Sequence, residues 1–520
     1  MAILEEDGGQ HVRIAGRDGP DFLGIGVEAL AWSPDGRRLA YPARTKEGWT
    51  VVVQEANLRA GAGERPGVQA SPYDGIGEIV WSADSHHLAY AAERKGRWLV
   101  VAGAREGATF ESLRSRSLRI SADGAHHAYA ADDAGRVVVV VDGVKSAPHE
   151  AVGQLSLRDD GLAVFAARTG DRSEIVIGSL VHGPYEDVAE VSISPHGREV
   201  AWTARGGGGW RVHVQCLPPT PAGGGEPCTL PGSKGTSGPS GQSPGPSGQS
   251  PAREGAWESE AFARVGGLVW APRTGALAFA VGVGDGERVI AGGVGGRLFE
   301  GVLPGSLSWD AKGTMVAYAG RRNWAWYVVQ GASESEPYEE VEPPVFLGGT
   351  RATAFLARRG AASFIVADGH QGPVVADATG LSVSPDGWRF LHLARDGARV
   401  AVAMGEVRAV GGGECGDGRC RPEVTRTVVQ DVVIGGTLRW SGSSKHSGYL
   451  AGESAARRLF LVVDGERRGD FDMLELMGNL SLSPDLSGAL TGDSERLGEW
   501  VRAEVELAER SGLHVRGRRW

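Results

Sequence analysis

The chain has 520 residues, of which 81 are Gly and 26 Pro, and carries a formal net charge of −10 with 23% charged and 41% hydrophobic residues. That balance belongs to a globular chain rather than a disordered one, and the negative charge opposes a polyphosphate partner, so no nucleic acid is expected. No apolar run reaches the roughly 18 residues of a membrane span, and the acidic opening Met1-Ala2-Ile3-Leu4-Glu5-Glu6-Asp7 lacks the basic and apolar regions of a secretory leader, so the chain as it stands is expected in the cytoplasm.

In chain order, His11-Val12-Arg13-Ile14-Ala15 and Gly19-Pro20-Asp21-Phe22-Leu23-Gly24-Ile25 read as the third and fourth strands of a unit whose first two are missing. A repeat then begins. Leu30-Ala31-Trp32-Ser33-Pro34-Asp35-Gly36 leads into Arg37-Arg38-Leu39-Ala40-Tyr41 and Gly48-Trp49-Thr50-Val51-Val52-Val53. The same order returns at Trp81-Ser82-Ala83-Asp84-Ser85, Ile120-Ser121-Ala122-Asp123-Gly124, Ile193-Ser194-Pro195-His196-Gly197 and Trp309-Asp310-Ala311-Lys312-Gly313. Val383-Ser384-Pro385-Asp386-Gly387 and Leu482-Ser483-Pro484-Asp485 carry it to the far end, and weaker copies centre near Leu157, Trp270, Ala354 and Trp440, about eleven units in all.

Each unit alternates an apolar strand, a Ser-Pro-Asp-Gly turn, a strand of small and aromatic residues, a Gly turn and a Val-rich strand. Pro presets φ, Asp accepts backbone amides, and Gly takes the positive φ. Segments such as Pro72-Tyr73-Asp74-Gly75-Ile76 and Pro184-Tyr185-Glu186-Asp187-Val188 supply a fourth, outer edge strand. Successive turns lie about 36 to 49 residues apart, near the roughly 40 to 45 of a propeller blade. One such sheet cannot hide both faces alone, so it must stack on its neighbours. The expected fold class is all-β: a β-propeller, two tandem rings of about five to six four-stranded blades each.

The Ser-Pro-Asp-Gly-x-x-x-Ala-Tyr signature resembles the WD40-like repeats of TolB-type propellers over nearly the whole chain outside two inserts. It is unlike true WD40 repeats, since Trp309-Asp310 occurs once. The resemblance implies a fold and is almost silent on activity. Residues 216–256 are rich in Pro, Gly and Ser and are expected to divide a first propeller, 1–215, from a second, 257–508, with a basic tail at 509–520. The competing picture makes 216–256 a loop on one blade of a single ring. The first strands at the N-terminus either close the first ring or complete the last blade.

No residue set carries an expected chemistry, and no catalytic, cofactor or metal site is expected. Gly241-Gln242-Ser243-Pro244-Gly245 has the letters of a nucleophile elbow without the strand before it or the helix after it. His86-His87 and His126-His127 recur just after successive turns, yet adjacent strand residues point to opposite faces, so exposed turn residues are expected rather than a metal site. Asp132-Asp133-Ala134-Gly135 has too few ligands for calcium and reads as a solvated turn. Trp324, Trp326 and Tyr327 are expected to pack between blades, Glu334 to Glu342 to form a solvated acidic edge strand around Tyr338, and Arg516-Gly517-Arg518-Arg519 to be a solvated end.

All four cysteines fall in the inserts, outside expected strands, which suggests disulfides Cys216 to Cys228 and Cys415 to Cys420. Disulfides imply an oxidising compartment, so either a leader is missing from this sequence and the chain is periplasmic or extracellular, or the thiols are free. The expected function is a non-enzymatic scaffold with an unidentified protein partner. The alternatives are an envelope-associated propeller like the TolB type, and an enzyme whose residues converge on a channel from several blades.

Overall fold

The computed structural model describes residues 2–6, 8–14, 17–26, 29–55, 67–219, 228, 230, 255–375, 377–397, 399–409, 420–434, 437–441, 443–453 and 458–472. Among these residues there is no α-helix. The strands form eleven antiparallel sheets that follow the chain in order and are numbered here one to eleven: 2–18, 24–73, 75–106, 112–145, 151–185, 187–258, 265–299, 301–334, 340–371, 379–430 and 432–472. From the second sheet onward each is a four-strand meander, the first strand being split into two short pieces in several of them.

The repeat explains this layout. Second and third strands such as Leu88–Arg94 and Arg136–Val141 are buried along nearly their whole length. Both faces of these strands are covered by neighbouring sheets, so they read as continuous apolar runs and do not alternate. Each of the ten junctions between consecutive sheets holds its own apolar cluster. At most junctions an aromatic ring from the end of one sheet meets the second-strand aromatic of the next edge to face, as in Phe22 with Tyr41, Tyr73 with Tyr90, Phe110 with Tyr129, and Phe299 with Tyr318. Rings crossing at these angles gain quadrupolar attraction beyond the area they bury.

First strands of neighbouring sheets also touch one another, from the second sheet to the ninth. At the opposite edge Val144, Leu180, Val181 and Val294 stand in solvent. The sheets therefore converge on their first strands and fan outward to their fourth, the wedge shape of propeller blades.

Two expectations need correcting, and the insert can be placed on its sheet. The N-terminal sheet lacks only its first strand, because Ala2–Glu6 pairs with Gly9–Ile14 in the second-strand place, and Gly24–Ile25 opens the next sheet. The segments around Asp74 and Glu186 are not single edge strands: Gly67–Tyr73 and Leu180–Tyr185 end one sheet, and Gly75–Trp81 and Asp187–Ile193 begin the next. Residues 217–255 connect the third and fourth strands of the sixth sheet, Gly209–Cys216 and Ala256–Glu258, which pair directly. The sixth and seventh sheets share Val212, Val214, Trp270, Leu277 and Phe279 in one cluster, so apolar packing runs on past this insert. The unit expected around Leu482 and the tail from Arg516 lie outside the described residues.

Candidate functional site

At one end of the blades lie the turns joining first to second strands. Ser33, Ser82, Ser121, Ser194, Ser384 and Ser441 are buried there. Their hydroxyls accept the amides of Arg38, His87, His126, Glu199, Arg389 and His446 at 2.9–3.1 Å, and Ser33, Ser121 and Ser384 also donate to Asp35, Asp123 and Asp386 at 2.6–2.7 Å. Asp310 takes the serine's place in the eighth sheet and accepts the amides of Thr314 and Met315, so the single Trp-Asp pair still obeys the turn's chemistry.

These turns are tied to the next sheet. Trp81, Trp270, Trp309 and Trp440 donate their indole N–H to a first-strand carbonyl of the preceding sheet at 2.9–3.3 Å. The amides of Asp35 and Asp386 donate to Ser85 and Ser444 of the following turn. Arg158, buried where six other sheets have serine, pairs with Asp160 and donates to Gly197 O and Pro218 O at 2.8 Å each.

The histidine pairs belong to this bracing. His87 covers Gly124 of the next turn and His126 covers Gly161, while His126 Nδ1 lies 2.6 Å from Asp142. Among the described residues no three His, Cys, Asp or Glu side chains come together as a metal site. Asp132 meets Arg114 and Ser112, and Asp133 meets Lys145.

Along the converging first strands, Glu190 accepts the amides of Gly267 and Leu268 at 2.9 and 2.8 Å, and Glu342 those of Gly380 and Leu381 at 2.7 and 3.0 Å. Glu78 receives Leu118 N, and Gln154 donates to Ala189 O. Burial pushes the Glu78 carboxyl up, opposed by the Leu118 amide and Arg119. Sequence reading missed these groups, although Glu78, Gln154 and Glu190 each stand four residues ahead of the turn residue in a first strand. Their hydrogen bonds suit them to joining blades.

A second group that sequence reading missed lies between the fifth and sixth sheets. His213 stacks on Trp202 with centroids 5.2 Å apart, and Tyr185 stands at the same distance from it. His182 packs on the Trp202 ring too. Burial holds the His213 imidazole down to about 4, with Arg211 and His182 acting the same way.

Two more readings change. Tyr338 is buried against Phe355 and Phe364, and the acidic stretch around it divides between the fourth strand Ser333–Glu334 and the first strand Glu340–Val341. It is a blade junction, because a ring at that place fills the gap between sheets. Trp326 and Tyr327 lie half-buried on a third strand, but Trp324 is 85% exposed at the hairpin tip between second and third strands of the eighth sheet. The expectation of interblade packing fails for it, because Asn323-Trp324 is the turn itself.

Cys216 and Cys228 form a disulfide with Cα atoms 5.8 Å apart. Cys420 is also disulfide-bonded. Cys216 ends one strand and Cys420 begins another and is buried. These two were expected in loops, but the strands beside each insert run to its edge. Cys415 and the 241–245 segment lie outside the described residues.

No family model matches the chain, and no curated protein matches it. Among solved structures it is similar to a eukaryotic initiation factor at 11% identity, covering 90% of this chain and 97% of that one with a TM-score of 0.41. It is also similar to a putative TolB from Agrobacterium tumefaciens, at 18% identity, 39% and 80% coverage and a TM-score of 0.22. A third is the β-propeller domain of Myceliophteria thermophila Cps50 (Swd1), at 13%, 68% and 98%, and 0.25. At these TM-scores the likenesses carry nothing about activity, and the blade architecture stands on the strand pairing itself.

Proposed function

We propose that this chain is a non-enzymatic scaffold whose blades present loops and hairpin tips to protein partners. One observation carries the reading: turn after turn is hydrogen-bonded to the following blade at one end, a rigid frame for variable tips at the other. The carboxylates Glu190 and Glu342 on the converging strands are engaged by backbone amides, which favours a joining role for them over acid–base chemistry.

Cross-linking of the full chain in its native extract, followed by peptide mass spectrometry, tests this. Cross-links from a protein partner to the tips at Gly207, Trp324 or Gly360 are the expected result. Retention of small metabolites alone, with no protein cross-link, overturns it.

The Cys216–Cys228 disulfide favours an oxidising compartment for this scaffold over the cytoplasm. A thiol count on the protein isolated from its native source is expected to give no free thiol. Four reactive thiols place it in a reducing compartment instead.

A further inference from the structure

The hairpin tip of the eighth sheet departs from the repeat in a way that its own packing does not explain. Its two turn residues both lie in the left-handed region, Asn323 at φ 51° and Trp324 at φ 64°. The corresponding tips of the third and fourth sheets are Lys95-Gly96 and Ala134-Gly135, with glycine at the second place at φ 71° and 73°. A two-residue hairpin turn of this kind asks for Asn-Gly, and a bulky residue there is a genuine conformational outlier. Trp324 thus occupies the glycine position of its turn.

Burial does not offset that cost. At 85% Trp324 is the most exposed large apolar side chain among the described residues. Its contact with its own blade is the Arg321 guanidinium, 5.8 Å from the Trp324 ring and also 5.8 Å from Trp326. The Asn323 amide donates to Glu300 at 2.9 Å, which fixes the tip. The backbone that carries the indole is therefore fixed while the ring itself stands in solvent, open to a partner as an aromatic anchor.

The charges around the tip define the occupant. Arg321 faces Glu300 at 3.7 Å, Arg297 and Arg322 share Glu334 at 2.8 Å each, and Arg358 is paired with Glu339 and Glu340, four cations against four carboxylates. Cations and carboxylates balance within the chain, so the tip presents an apolar ring in a self-neutralised setting. A phosphate-rich or strongly charged surface finds no complementary field there. The adjacent tips, Gly284-Asp285 and Gly360-Ala361, are small, which leaves the indole standing above its neighbours.

We propose that Trp324, backed by Arg321, is the anchor of a docking site for an uncharged, apolar polypeptide segment. This rests on the protein-binding reading above and names its surface. The test uses the full chain and its Trp324→Gly variant, with a phage-displayed library of random 16-residue peptides as the probe. Glycine relieves the left-handed strain of the turn, so the variant is expected to fold with an unfolding midpoint about 1 °C higher.

Peptides selected on the unmodified chain are expected to be rich in aliphatic residues and Pro. They should bind the variant at least tenfold more weakly and bind equally well in 50 and 500 mM salt. A lower midpoint for the variant shows that the indole serves the fold and overturns the proposal. So does Trp324-dependent binding of a hexasaccharide or of phosphatidylcholine vesicles in place of peptide. Peptides that bind both proteins alike, or failure to select any peptide on the unmodified chain, remove this site and leave the scaffold reading to the cross-linking test.

Discussion

Acidification should open the junction between the fifth and sixth sheets through one residue. His213 titrates at about 4 in the folded chain because burial penalises its cation, with Arg211 and His182 adding to that, against about 6.5 in an unfolded chain. The folded state prefers the neutral ring, so its stability is complete above pH 6.5 and declines as pH falls from 6.5 through 4. The whole difference is on the order of 3 kcal/mol, of which about 2 kcal/mol is lost between pH 7 and 4.5. The carboxylates held low by hydrogen bonds, Asp160 beside Arg158 and Glu340 beside Arg358 among them, lose their contribution only at lower pH.

The assay is amide hydrogen exchange of the paired strands Glu199–Gly206 and Gly209–Cys216, as protection factors at pH 7 and 4.5. Local opening is the relevant event in a stacked array. His213→Phe keeps an aromatic ring on Trp202 and removes the titration. It should flatten the pH dependence at this junction and leave it at those of His149 and His392, whose imidazoles burial also holds low. If protection falls equally in the variant, or if the His213 proton resonance titrates near pH 6.5, the reasoning fails.

Three further outcomes follow from the turns and the insert. Gly387→Ala should cost well over about 3 kcal/mol, since a Cβ there falls 1.7 Å from Gly348 N at φ 77°, whereas Gly96→Ala, at φ 71° with nothing within 4 Å, should cost only about 1 kcal/mol; urea unfolding of both variants compares them. Ser82→Ala removes a fully buried hydroxyl that accepts His87 N and should cost about 1–2 kcal/mol, read as faster exchange of the Leu88–Arg94 amides. Arg158→Met takes the guanidinium from Asp160, Gly197 O and Pro218 O and should cost about 3 kcal/mol by the same measurement in the fifth sheet.

The blade was legible because its signature is local. Ser33-Pro34-Asp35-Gly36 contains the donors, acceptors and positive-φ residue that close its own turn, so composition within a few residues determines the structure. Ser85 and Ser444, at φ 67° and 64°, keep the same turn where glycine is absent, which is why the weaker copies still read as units. Blade borders were harder to place. Tyr73 and Ile76 are both apolar and only Asp74 lies between two strands of different sheets, so hydrophobic pattern alone does not reveal the crossing.

What sequence could not supply is which residues meet across a junction. Trp202, His182 and His213 converge from three strands of two sheets, and Glu190 reaches residues 77 and 78 positions away. No motif spans such separations. Local departures from the repeat are legible, and they divide by whether the fold compensates them. Arg158 replaces a turn serine and recovers its hydrogen bonds from Asp160 and two carbonyls. His392 takes the place of a second-strand tyrosine and is buried between sheets beside Phe390. Trp324 replaces a turn glycine and gains one cation contact with its ring left in water. A substitution that folding opposes and packing does not reward has no account within the chain, and so Trp324 is where the proposed partner should be sought.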